Sequence, residues 1–250
     1  MLDVVSGGVE RTDKGRAHRA GLEHLTDHKT PQENIELDDR LFEAAIVGEI
    51  TKFARIWTNQ QCLVVPANWR KKSKFVEAST LSCERGWPVC TRSSGGSCVP
   101  HGEGVVNLSL LRVTKAKEFT PHDAYTEICG IIIQVLQRHH ICGSTGFVPD
   151  SFCDGAYNVS VKGKKYAGTA QRRRALTERT ISLAHASIFL SPPPEAIPAV
   201  QQFLSDLGEN ETVRSETHHW IGENRDRFRI SEEVFCKTLT AHLRANNWPD

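Results

Sequence analysis

Two hydrophobic periods run along this chain, one close to a helical turn and one of two residues, and the places where they change mark out its elements. In "LDDRLFEAAIVGEI", Leu37, Leu41, Ala44, Ala45 and Val47 recur near helical spacing with acidic residues early, so a helix follows Asn34. "FARIW" and "CLVVP" are short apolar runs separated by the turn-like "TNQQ", which predicts paired or neighbouring strands. "SKFVEASTLSCERG" reads as a helix closed by Gly86, and "WPVCTR" resumes extended structure. In "VVNLSLLRV", Asn107 and Ser109 share one face while Val106, Leu108 and Leu110 share the other, the alternation of a half-buried strand.

The strongest helix signal is "TPHDAYTEICGIIIQVLQRHH". Thr120 is placed to cap, Pro121 opens the first turn and Asp123 completes a capping pattern, before Tyr125, Ile128, Ile132, Val135 and Leu136 form one apolar stripe. "YNVSV", "KG" and "KKYAGTA" predict strand, turn and strand. "HASIFL" adds a strand that "PPP" ends, and two helices, "AVQQFLSDLG" and "SEEVFCKTLTAHLRANN", joined by a polar segment, close the chain. Residues 1–34 lack sustained periodicity and read as a mobile arm with a short helical piece. Residues 35–250 read as a single domain. Strands interspersed with helices, with hairpin signals among them, predict an α+β fold with a mixed, mostly antiparallel sheet flanked by helices.

Composition narrows the function classes. The chain has 250 residues, 39% of them hydrophobic and 24% charged, which allows one domain with a real core. No apolar run is long enough to span a membrane, and the first twenty residues lack the apolar core of a secretory signal, so a cytoplasmic protein is expected. A net charge of +1 provides no global field for nucleic acid or an anionic membrane, and "WRKKSK" and "QRRRA" read first as solvated faces. The eight cysteines contain no C-x-x-C pair, so no metal site is expected and the thiols should be free.

Three segments carry small residues where strands prefer bulk. "RSSGGSCVPHGEGVVNLSL" puts Gly95 and Gly96 beside Arg92, a cation for a carboxylate or phosphate, although glycine pairs in loops are first of all turns. "SFCDGAYNVSVKGKKYAGTAQRR" holds Cys153 and, across the hairpin, Lys165, whose ammonium would favour the nucleophilic thiolate. The plain reading of Cys153 alone is a small buried hydrophobe, but the following "AGTA" leaves room for a slender ligand. "LAHASIFL" places His185 at a strand start, where a structural histidine is the default.

Together and in this order, "IELDDRLFEAA", "RIW", "CLVVP" and these three segments resemble the lipoate and octanoate attachment family of lipoate-protein ligases, cysteine-dependent octanoyltransferases and, more distantly, biotin protein ligases. The resemblance covers about residues 35 to 190. It implies a biotin/lipoate protein ligase-like catalytic domain that binds a medium-chain acyl group in a tunnel. At matching positions it implies that Arg92, Ser94, Gly95 and Gly96 border the ligand, that Lys165 contacts the acyl carbonyl or acyl-adenylate, and that Gly168, Thr169 and Ala170 line the pocket. His101, Asn107 and His185 join this implied substrate-binding set.

The resemblance also implies an enzyme of protein lipoylation. As a transferase it would use a Cys153 thioester and no cofactor to move an octanoyl or lipoyl group between lysines. As a ligase it would use ATP and Mg to load lipoate through lipoyl-adenylate. As a non-catalytic module it would only bind the acyl group or a lipoyl domain. The "FCDGAYN" segment looks like the transferase type, and Thr91 stands where many ligases carry a second arginine. The tail beyond residue 195 is short for the accessory domain of larger ligases. Implied partners are lipoyl-domain proteins, namely the glycine-cleavage H protein and 2-oxoacid dehydrogenase E2 subunits, whose acidic surface Arg172, Arg173 and Arg174 could meet.

Overall fold

A computed structural model of the chain describes residues 19–25, 30–191, 195–218 and 230–248, the first of these as backbone only. The seven-stranded sheet runs β1 (Arg19–Leu25), β2 (Ile50–Trp57), β6 (Val105–Lys115), β10 (Arg179–Phe189), β9 (Lys164–Ala175), β8 (Asn158–Val161) and β7 (Gly143–Gly146) in spatial order. Only β1 and β2 pair in parallel; the other neighbours are antiparallel. A second sheet of three strands orders β4 (Val89–Arg92), β3 (Cys62–Pro66) and β5 (Val99–His101). The fold is therefore α+β with mixed, mostly antiparallel sheets, as the sequence predicts, although divided in two. "FARIW" and "CLVVP" do not pair: they belong to β2 and β3, in different sheets.

One face of the large sheet packs on α3 (Pro121–Arg138) and α5 (Glu232–Ala245). Ile56, Leu108 and Ala186 meet Ile128, Ile132 and Val135 of α3 and Phe235 and Leu239 of α5 there. The expected Thr120–Asp123 capping box opens α3. A second box, Thr30 with Glu33, opens α1 (Pro31–Val47), so this helix starts at Pro31 rather than after Asn34. Within the expected mobile arm, residues 19–25 form strand β1 rather than a helical piece; the rest of that expectation, and the "PPP" exit, fall outside the described residues. Helices α2 (Phe75–Glu84) and α4 (Ala196–Leu207) pack together beside the small sheet. Among the described residues no helix is long and apolar enough to cross a membrane, and all eight cysteines are free thiols.

The other face of the large sheet lies under α1 and the small sheet, which corrects the expectation of a half-buried β6. Asn107 and Ser109 are as buried as the leucines that alternate with them, because a second layer covers the polar face. Polar groups buried there must find partners. Arg55 is fully buried and its Nη1 bonds Asp38 Oδ1 at 3.1 Å and the Asn34 carbonyl at 2.7 Å, with the guanidinium over the Trp57 ring. Asp38 takes a second bond from Ser109 Oγ at 2.6 Å, and Ser109 Oγ accepts the Trp57 indole N–H at 3.1 Å. Removing one partner of such a pair strands a buried charge. Arg55→Met is expected to lower stability by about 3–5 kcal/mol, and adding Asp38→Leu to restore much of it, measured from urea unfolding midpoints.

Candidate active site

The β8–β9 hairpin turns through Lys162 and Gly163, both at positive φ, as the "KG" signal predicts. It carries Lys165 beneath the loop that holds Cys153. Lys165 is wholly buried, and its Nζ donates to the carbonyls of Phe152 and, at 3.0 Å, Cys153. Burial pushes its pKa down to about 8, against the opposing pull of Cys153, Asp154 and Glu211. Cys153 itself has φ 49°, the left-handed region that costs a non-glycine residue about 1–2 kcal/mol, so the lysine's two bonds hold a turn the chain would not choose. Phe152 is pinned from the other side by His218, whose ring stacks on it at 4.4 Å and whose Nε2 accepts the Phe152 N–H at 3.4 Å.

The Gly95–Gly96 loop meets this turn at the sulfur. Ser97 N–H donates to Cys153 Sγ at 3.0 Å. A Cβ on Gly96, which has φ 100°, would lie 2.6 Å from Sγ and 2.9 Å from Arg92 Nη2, so glycine is required both for the backbone angle and for the close approach. Glu211 ties the two loops together, accepting the Cys153 N–H at 3.2 Å through one oxygen and the Ser97 hydroxyl through the other. Arg92 does not stand free for a carboxylate or phosphate. It is buried, and its Nη1 serves the Val64 carbonyl at 2.7 Å while Nη2 serves those of Gly95 and Ser97 at 2.9 and 2.7 Å. It shapes the loop and sets a positive charge beside the thiol.

Cys153 is half-buried, whereas burial pushes the nearby Cys98 thiol far up and keeps it protonated. Cys153, Thr169 and Ala170 line two clefts at once. The first, a narrow cleft, runs between α1, the small sheet and the polar face of the large sheet. Arg92, Ser94, His101, Asn107, Gly168 and His185 also line it, so the structure brings together nearly every residue the sequence singled out. Gly95 and Gly96 border the second cleft with Tyr125 and Tyr157, whose rings stack at 4.3 Å. Lys165 lines neither: it lies behind the cysteine, and a Cβ on Gly168 would come within 3.1 Å of its Cε.

The pocket's histidines are neutral. Burial, reinforced by the Arg92 charge, pushes His101 and His185 down to about 3, and burial does the same to His218 against its bond to the Arg214 carbonyl. His185 Nε2 bonds Ser94 Oγ at 2.6 Å, and His101 Nε2 bonds Ser187 Oγ at 3.1 Å. Sequence reading passes over Trp57, Asn59, Ser187, Glu211 and His218. The alternation of Asn107 and Ser109 signals the polar face that Trp57 and Ser187 share, but nothing local marks Glu211 or His218, which come from the tail.

No group of His, Cys, Asp or Glu among the described residues is arranged to hold a metal ion. Of the basic side chains that served the ATP-dependent expectation, Arg92 and Lys165 both bond backbone carbonyls, and position 91 is threonine. Histidines held neutral take up protons only on unfolding. Between their ordinary pKa near 6.5 and the folded value of about 3, the unfolded chain binds more protons, so stability rises with pH and is lost as pH falls through that window. The unfolding free energy from urea titrations should therefore drop from pH 7 to pH 5, by at most about 1.4 kcal/mol per pH unit for each histidine, and His218→Gln should flatten the slope.

Comparison with known proteins shows the family of the chain. An octanoyl-[GcvH]:protein N-octanoyltransferase of Anoxybacillus flavithermus is 31% identical over 142 residues, covering 57% of this chain and 51% of that protein. One from Kyrpidia tusciae is 32% identical over 211 residues, covering 82% of this chain and 68% of that protein. The chain thus spans from about half to two thirds of these curated relatives. In fold it is similar to a lipoate-protein ligase A solved with ATP (TM-score 0.69, 14% identity, 90% of this chain and 84% of that one). It is also similar to a bi-partite lipoate protein ligase of Thermoplasma acidophilum (TM-score 0.62, 15% identity, 91% of this chain and 83% of that one). Residues 30–220 match the family model described as the lipoyl protein ligase A/B catalytic domain, and the chain belongs to that family.

Proposed function

We propose that this chain is an acyltransferase that moves an octanoyl or lipoyl group onto the acceptor lysine of a lipoyl-domain protein through a thioester on Cys153. The observation that carries the reading is the position of Cys153 between two clefts, with its sulfur against the Ser97 N–H and the Arg92 guanidinium beside it. The inner cleft would take the acyl chain, and transferring eight carbons out of water at about 0.8 kcal/mol per methylene binds it with little polar help. The outer cleft, with its stacked tyrosines, would admit the lysine stem. The relatives' names, which specify octanoyl transfer and the protein GcvH, support this choice of substrate and partner.

In the reaction the thiolate attacks the carbonyl of an acylated lysine. A C–S bond forms, the C–N bond breaks, and the donor amine leaves carrying the proton that the thiol gave up. The acceptor lysine, as the free amine, then attacks the thioester, a C–N bond forms, the C–S bond breaks and the amine's surplus proton returns to the cysteine, so one hard amide exchange becomes two easier steps. Two of the three Lys165 ammonium hydrogens hold the Cys153 turn; the third, on the Gly168 side, is proposed to take the acyl oxygen as charge develops on it. The thioester route uses no ATP, and the engagement of Arg92 with backbone carbonyls favours it over the ligase reading.

Incubation with octanoylated glycine-cleavage H protein and an apo lipoyl domain tests the proposal. Wild type should become acylated in a hydroxylamine-labile form and pass the group on without ATP, and Cys153→Ala should do neither. ATP-dependent loading of free lipoate that survives Cys153→Ala would instead establish the ligase reading. Lys165→Met is expected to slow transfer by about 100-fold or more, through loss of both the turn and the oxyanion contact, measured as single-turnover thioester formation.

A further inference from the structure

We infer that Asn107 is a specificity-determining residue of the inner cleft, selecting a medium-chain acyl group with a hydrogen-bond acceptor on its distal carbons over a plain saturated chain. This rests on the acyl-pocket reading above and extends it to the chemistry of the chain end. Asn107 lines the cleft and is only 2% exposed, yet its Nδ2 has no hydrogen-bond partner among the described residues.

The direction of that amide is set by a chain of bonds that begins at a backbone anchor. Asn59 is oriented by the Gln60 N–H, which donates to its Oδ1 at 3.1 Å, and by the Pro31 carbonyl, which accepts from its Nδ2 at 3.2 Å. Its Nδ2 also lies 3.5 Å from His101 Nδ1 and 3.7 Å from Cys62 Sγ, and the tautomer consistent with the Ser187 bonds has that ring nitrogen accept. The neutral ring then carries its proton on Nε2 and gives it to Ser187 Oγ at 3.1 Å. Ser187 in turn donates to Asn107 Oδ1 at 2.8 Å, which leaves the Asn107 amide hydrogens without a partner among the described residues, on a side chain that lines the cleft.

Upstream the same sense continues, from Arg55 Nη2 to Asn34 Oδ1 at 3.1 Å and from Asn34 Nδ2 to Asn59 Oδ1 at 3.3 Å. Every link donates away from a permanently charged guanidinium, so each bond polarises the next and the terminal amide becomes a better donor. A saturated chain leaves this buried donor unpaired, which is unfavourable; an acceptor satisfies it.

Register gives the position along the chain. Trp57, Asn107, Ser187 and Gly168 form one row across β2, β6, β10 and β9, and Lys165 Nζ approaches the sheet at Gly168. Two strand spacings of about 4.8 Å put Asn107 about 10 Å from Gly168, roughly the reach of an eight-carbon chain. The donor therefore meets the last carbons, where a dithiolane bears sulfur or an oxidised chain bears oxygen.

The test measures binding apart from transfer, by calorimetry with free lipoate, 8-hydroxyoctanoate and octanoate. Wild type should bind at least one of the first two about three- to tenfold tighter than octanoate. A gain for lipoate alone identifies sulfur as the acceptor, and a gain for the hydroxy acid, the more water-soluble ligand, separates hydrogen bonding from added apolar surface. Asn107→Leu, similar in volume, should abolish the preference. Ser187→Ala, which keeps Asn107 but removes the hydroxyl that orients it, should weaken the preference and carries the test if the leucine variant does not fold. Equal wild-type affinities, or a preference unchanged in the variants, would overturn the inference and leave the acyl pocket standing. Binding of none of the three would overturn the inference, and thioester formation on Cys153 from the octanoylated H protein then decides the acyl pocket separately.

Discussion

Arg55 is a permanent charge with no exposed surface, and the polar half of this structure is organised around its neutralisation. Asp38 supplies the counter-charge from α1, and burial raises the Asp38 pKa even against the pull of the guanidinium. A carboxylate in that position holds its charge only through Arg55 and Ser109, so α1, β2 and β6 are bound to one relative placement. That placement roofs the sheet with a helix while leaving room beneath it, and the room is the inner cleft. The same polar residues that would be unfavourable in an ordinary core are here the floor of a site.

The second requirement is met by loops. Residues far apart in sequence, the Gly95–Ser97 turn, the Cys153 turn, Lys165 and Glu211, converge because each satisfies a backbone group of another. The buried lysine spends two of its three ammonium hydrogens on carbonyls and the buried arginine bonds three carbonyls, so both cations are structural before they are chemical. A thiol placed by three neighbours in this way stays at the junction of two clefts. Preorganisation of this kind is what nucleophilic catalysis asks of a scaffold.

Much of this was legible in the sequence because local chemistry wrote it there. Thr120–Pro121–Asp123 announces a helix start, Lys162–Gly163 a hairpin, and the alternation in "VVNLSLLRV" a strand, since capping, left-handed turns and a two-residue period are all local effects. The run Gly168–Thr169–Ala170 likewise marked a pocket wall. What escaped were relations between distant segments. No local pattern says that β2 and β3 part into separate sheets, that the Asn107 face is roofed, or that Glu211 reaches back to Cys153. The apparent free cation at Arg92 was misleading for the same reason: its partners are backbone carbonyls, which a sequence does not display.

An acyl chain that leaves Cys153 and lies along the floor of the inner cleft is the arrangement on which the proposed transfer depends. A crystal structure of the protein trapped with its acyl group, grown after incubation with octanoylated donor and no acceptor, examines this directly. Continuous density is expected from Cys153 Sγ past Gly168 toward Asn107, with the histidines undisturbed. Density on another cysteine, or an acyl group lodged outside the space between α1 and the large sheet, would contradict it.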